Sequence, residues 1–152
     1  VTPGLVAPKS RGRLWLNSRD PLQAPLMDPR VYSENEDLEV MTDKALLLRE
    51  VMKQTALAPW RGKEMGMEGV NNRDKMRDYI RRMTASYHHQ VGTARMGTDN
   101  MAVVDPQLRV HGLSGLRVID ASVMPVIPTG NTNAPSIMIG EKAADMILSS
   151  KA

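Results

Sequence analysis

Hydrophobic and polar positions change rhythm several times along this chain. Over residues 11–18, RGRLWLNS, Leu14 and Leu16 alternate with Arg13, Trp15 and Asn17. That period of two predicts a short strand. The ten residues before it are spaced by Pro and Gly and predict extended backbone. The run that follows, RDPLQAPLMDPR, carries prolines at 21, 25 and 29. Proline lacks the N–H that a helix interior or a central strand requires, so a surface loop is predicted there.

A helical period takes over at residue 33. Ser33 and Glu36 have the spacing of a capping box. Leu38, Met41, Ala45, Leu48 and Met52 then recur at intervals of 3, 4, 3 and 4, which lines one face of a helix over 34–57. Pro59 stops it near Thr55 to Ala58. RGKEMGMEG reads as a loop. Asn72 then caps a second helix, over 73–84, that turns Met76, Tyr79, Ile80 and Met83 inward. Arg73, Arg77 and Arg81 share a face with Asp74 and Asp78 interleaved, and Asp78 can pair with Arg82 at i,i+4. Mixed charge of this kind predicts a solvated face. A nucleic-acid surface needs uninterrupted Lys/Arg or stacking aromatics, so no nucleic-acid partner is expected.

From Tyr87 onward, glycines at 92, 97, 112, 115 and 130 and prolines at 106, 125, 128 and 135 cut the chain into short pieces. LRVID (116–120) predicts a short apolar strand, and VVDPQLRVHG two strand fragments about a proline turn. A last helix is predicted from Ala134 to Ser149. Pro135 sits in its first turn, where a missing N–H costs nothing, and Thr132 or Asn133 can cap it. Ile137, Gly140, Ala144 and Ile147 form its predicted buried stripe.

Composition changes this picture in few places. In 152 residues there is no Phe, and only two Trp and three Tyr, so twelve Met must fill much of the core volume. The absence of Cys excludes disulfides, thiolate zinc sites and thiol nucleophiles, and leaves the compartment open. A net charge of +3 is mildly basic and decides little. No run of about 18 apolar residues occurs, so no membrane-spanning segment is expected. The chain starts mid-phrase without Met, which leads us to expect a piece of a longer protein.

Candidate chemistry gathers in SYHHQVGTARMG (86–97). On an extended segment His88 and His89 point to opposite faces, so at most one of them serves a given pocket. His111 lies in a predicted turn. Adjacent histidines without helical spacing or a nearby carboxylate do not converge on a metal, and no metal site is expected. In PTGNTNAPSIMIGEKAADMI a Gly/Thr/Asn turn runs into the last helix, whose unpaired first-turn N–H groups and positive dipole end can hold an anion or a developing negative charge. Neither G-x-G-x-x-G nor a P-loop occurs, so the chain is not a nucleotide-binding fold by itself.

Three separated phrases, H-x-V-G-T at 89–93, L-R-V-x-D-A-S at 116–122 and G-N-T-N-A-P at 130–135, stand in the order found in the glucose-methanol-choline (GMC) flavin oxidoreductases. From Tyr87 almost to its end the chain resembles the C-terminal region of that family, in its choline-dehydrogenase-like form. Residues 9–32 resemble the family's substrate-domain segment. The resemblance implies an α+β fold. Residues 1–114 would be part of a substrate-binding lobe, and 115–152 the last strand and helix of an FAD-binding domain. It implies oxidation of an alcohol CH–OH group with FAD, with His89 as the base and Asn131 as its partner. By the same resemblance Asp120, Ala121, Thr132 and Asn133 contact the flavin, largely through main chain. The family's dinucleotide fingerprint belongs to an N-terminal part that is not in these residues. That missing part is therefore an expected partner, the segment alone is expected to be inactive, and the stripe of its last helix could lie exposed. The competing readings are a binding module that has kept the lobe and lost the redox role, and an anionic-surface binder suggested by the basic charge. Neither accounts for His89 and Asn131 together.

Overall fold

The computed structural model describes residues 1–150. The chain forms two compact units, Val1–Ala85 and a second that begins at Ser86.

In the first unit the predicted strand forms as β1 (Arg13–Trp15), shorter than expected. It pairs antiparallel with β2 (Leu26–Asp28), with Arg13 opposite Asp28 and Trp15 opposite Leu26. β2 lies within the segment predicted to be loop. Pro25 and Pro29 flank it rather than enter it, and a two-stranded ribbon has only edges, where proline is tolerated. Gly12 is required at the start of this ribbon: a Cβ there would sit 2.5 Å from the Asp28 carbonyl oxygen.

Helix α1 spans Asn35–Met52, and the predicted capping box does not form. Glu34, not Ser33, is the N-cap residue, and no side chain caps it. The N-terminal segment does that work instead. Ser10 Oγ accepts from Glu34 N at 3.1 Å, and Lys9 draws the Glu36 carboxylate away at 2.7 Å. Asp37 is buried, and its carboxylate accepts the Lys9 and Ser10 backbone N–H groups at 2.8 and 2.7 Å and the Ser10 hydroxyl. Burial pushes the Asp37 carboxyl upward, but these three donors outweigh it and hold it below the ordinary range. α1 also ends earlier than predicted, because Gln54 turns to extended backbone. Pro59 then lies inside a 3₁₀ turn, Thr55–Trp60.

Helix α2 (Arg73–Met83) begins as predicted, with Asn72 Oδ1 accepting from Lys75 N at 3.0 Å. Leu38 of α1 packs with Met76 and Ile80 of α2, with Tyr32, Met41, Ala45 and Tyr79 partly buried around them. Met83, expected inside, is exposed. The arginine face is also not simply solvated. Arg73 and Arg77 reach across to α1, where Glu39 accepts from Arg73 Nη2 at 2.6 Å and Arg77 Nε at 2.7 Å. Asp78 pairs weakly with Arg81, at 4.0 Å, rather than with Arg82.

The Arg77 and then the Arg73 hydrogen bonds lower the Glu39 carboxyl from 4.5 to about 2. A carboxylate with a depressed folded-state pKa stabilises above its unfolded value and loses that contribution as pH falls through the folded one. Wild type should therefore melt above Glu39→Gln near neutral pH, and the gap should close between about pH 4.5 and pH 2. Paired thermal melts across that window check it, and a pH-independent gap contradicts it.

The second unit packs Val104, Leu108, Val123 and Met124 against Ile139 and Ala143 of helix α3 (Asn133–Ser149). The strand fragments about Asp105–Pro106 appear as single bridges, Met96 with Val104 and Val104 with Val110. LRVID does not form a strand. Arg117 alone bridges, to Arg109, and the hydrogen bonds of this segment are divided between Val110 N–Leu116 O and Val118 N–Leu108 O. The predicted stripe of the last helix is also displaced. Ile137 and Met138 are each 59% exposed and Ala144 is exposed, whereas Ile139 and Ala143 are buried. Thr132, Ser136, Ile139, Ala143 and Met146, at intervals of 4, 3, 4 and 3, make the inward face. Ser136 tolerates that position because its hydroxyl donates to Thr132 O at 2.7 Å. Among the described residues no helix is long and apolar enough to cross a membrane.

Candidate active site

The HQVGT phrase is held by backbone. Just beyond it, Ala94 N donates to Ser122 O at 3.1 Å and Met96 N to Val123 O at 2.8 Å. Gly92 has φ of 86°, in the left-handed region that favours glycine, and lies beside Met124, whose carbonyl oxygen an added Cβ would meet at 3.4 Å, an ordinary contact distance. The segment thus runs beside the 3₁₀ turn Ala121–Val123, whose start Asp120 fixes by accepting from Ser122 N at 2.7 Å.

The two histidines separate, though not by strand alternation. His88 has φ of 60°, in the left-handed region, and its N–H is held by Ser86 Oγ at 2.9 Å. This kink leaves His88 exposed and turns His89 partly inward. His89 Nδ1 lies 3.0 Å from Thr132 Oγ1 at the head of α3. His111 is spent elsewhere, its Nε2–H donating to Gly97 O at 3.1 Å.

The structure therefore joins His89 to Thr132, the residue after Asn131. Asn131 and Asn133 are exposed, and their side chains make no hydrogen bond among the described residues. Thr132 is the N-cap residue of α3 but does not cap it with its side chain. The sequence reading gave Thr132 to the flavin or to the cap and missed its bond to His89. The partners are 43 positions apart, and no local pattern announces such a pair. Ala121 is partly buried and Asp120 exposed, its carboxylate taken by Ser122 N–H. No group of three metal-ligating side chains gathers among the described residues. Clefts of about 440 and 340 Å³ open elsewhere, at Asp105–Arg117 and around Glu68–Arg82, and neither includes any of these six residues.

The family model described as GMC oxidoreductase matches residues 8–140. The chain belongs to the GMC oxidoreductase family. It is 45% identical over 146 residues to the oxygen-dependent choline dehydrogenase of Pseudomonas fluorescens, covering 95% of this chain and 26% of that protein. It is 43% identical to the choline oxidase of Arthrobacter globiformis, covering 100% of this chain and 29% of that protein. A solved FAD-dependent oxidoreductase from Chaetomium thermophilum superposes with a TM-score of 0.87 at 28% identity, over 96% of this chain and 26% of that one. The GMC chain thus spans about a quarter of the length of the curated relatives it matches. The family resemblance, its choline-dehydrogenase-like character and the α+β fold expected from it are borne out. So, at the level of the family, is the expected flavin cofactor.

Proposed function

We propose that this chain is the catalytic C-terminal segment of an FAD-dependent oxidoreductase that oxidises the CH–OH group of an alcohol, choline-like or another primary alcohol. The observation that carries this reading is the His89 Nδ1–Thr132 Oγ1 hydrogen bond. It holds one imidazole at the head of α3, one residue from Asn131, and Nε2 makes no hydrogen bond among the described residues. His89 Nε2 takes the hydroxyl proton, and the Asn131 carboxamide donates an N–H to the substrate oxygen as negative charge builds on it. Asn131 does not titrate, so the proton has one destination. FAD, when bound, supplies the two-electron acceptor for the hydride of the adjacent C–H bond.

The donor set fits such a cofactor. The first helical bond at the head of α3 runs from Ser136 N to Thr132 O. The N–H groups of Asn133 and Ala134 therefore have no acceptor within the helix, and Pro135 has no N–H. Such donors and the positive helix end suit the carbonyl oxygens and negative charge of a flavin ring. We assign the cofactor to Asp120, Ala121, Thr132 and Asn133. At Asp120 and Thr132 the contact is by main chain, because their side chains are engaged with Ser122 and His89. The rest of the FAD site belongs to the part of the protein N-terminal to this segment, and the segment alone holds FAD weakly. Residues 1–114 contribute to the substrate lobe and 115–152 to the FAD domain. That functional division does not follow the compact units, since residues 86–114 pack within the second.

Mixing the full-length, FAD-loaded protein anaerobically with a panel of primary alcohols tests this function. Bleaching of the oxidised-flavin absorbance by at least one alcohol is expected. No bleaching by any of them, in protein that a chemical reductant does bleach, contradicts it.

A further inference from the structure

Thr132 stands at the N-cap of α3 and is only 9% exposed, yet its backbone has φ −83° and ψ −5°. A side-chain cap ordinarily needs extended backbone, as at Asn72, where φ is −143° and ψ 172°. In its helical conformation Thr132 leaves its hydroxyl for His89 Nδ1. Its carbonyl meanwhile accepts both Ser136 N at 3.0 Å and Ser136 Oγ at 2.7 Å, which anchors the residue to the helix.

A neutral imidazole has two forms. With the proton on Nδ1, that N–H donates to Thr132 Oγ1 and Nε2 carries a lone pair. With the proton on Nε2, the hydroxyl donates to Nδ1 and Nε2 has nothing with which to accept. Only the first form can act as a base at Nε2. When the substrate O–H bond breaks, its electron pair stays on oxygen and its proton forms Nε2–H. The Nδ1–H···Oγ1 bond is present before and after this step.

We infer that Thr132 is a positioning residue that fixes the His89 ring through Nδ1, so that Nε2 is turned out to act as the base in the Nδ1–H form. The inference rests on the proposed role of His89.

Anaerobic flavin reduction by the alcohol in the full-length, FAD-loaded protein tests it, using Thr132→Val and Thr132→Ser, each with and without His89→Gln. Loss of one neutral hydrogen bond predicts that Thr132→Val slows reduction about ten-fold, with the alcohol's dissociation constant moved less than about two-fold. Thr132→Ser should retain the wild-type rate, and Thr132→Val should add nothing to His89→Gln. A wild-type rate in Thr132→Val, or a further loss on the His89→Gln background, overturns the positioning role. Unchanged reduction in His89→Gln alone overturns the base assignment itself, so the two failures are distinguishable. Nitrogen-15 spectra of the histidines in the unaltered protein give a reading that does not depend on a variant folding. His89 should carry its proton on Nδ1, and an Nε2–H form overturns the inference.

Discussion

Replacing His89 by alanine in the full-length, FAD-loaded protein should slow alcohol-driven flavin reduction roughly 10²- to 10⁴-fold, the usual contribution of a general base. Neither of the chain's other two histidines can substitute. His88 is exposed and sits in a left-handed backbone conformation, and His111 is committed to the Gly97 carbonyl. The loss should fall on the rate constant for reduction rather than on FAD content, because none of the residues assigned to the flavin is removed. Anaerobic stopped-flow reduction alongside the flavin-to-protein absorbance ratio separates the two. A wild-type rate constant in His89→Ala removes His89 as the base.

Asn131→Ala should lower the same rate constant roughly 10²- to 10³-fold, the effect seen when one donor to a developing oxyanion is removed. Asn131 is exposed and its side chain makes no hydrogen bond among the described residues, so the substitution should leave thermal stability nearly unchanged. Lost rate at unchanged melting temperature assigns the carboxamide to chemistry. A rate within about two-fold of wild type removes it from that role, since so small a change is far below the cost of losing such a donor.

Features set by local chemistry were legible before the structure. Asn72 caps α2 as its type and position require, Pro135 falls in the first turn of α3, and Leu38, Met76 and Ile80 meet in one core. Features decided by distant partners were not. Ser33 and Glu36 have the spacing of a capping box, but Lys9, 27 positions away, takes the Glu36 carboxylate, and Ser10 accepts instead from the N–H of Glu34, the residue that becomes the N-cap. β2 was hidden because proline was read as excluding a strand, whereas two prolines bracket one. The inward face of α3 was misread because the most apolar stripe was taken as the buried one. Thr132 and Ser136 satisfy their own polar groups and so can face inward, leaving Ile137 and Met138 exposed. At the site, the choice of His89 over His88 came from a family phrase, since no local pattern of residues ranks two adjacent histidines. The Thr132 bond was invisible because it depends on the backbone angles at a helix head.

The most direct measurement is a crystal structure of the full-length, FAD-bound protein with an alcohol or a non-reactive analogue in place. The account predicts that the ligand's oxygen lies within about 2.6–3.2 Å of both His89 Nε2 and the Asn131 carboxamide nitrogen, in one hollow facing the flavin. An imidazole and a carboxamide on opposite sides of the molecule, or parted by packed side chains, would contradict it.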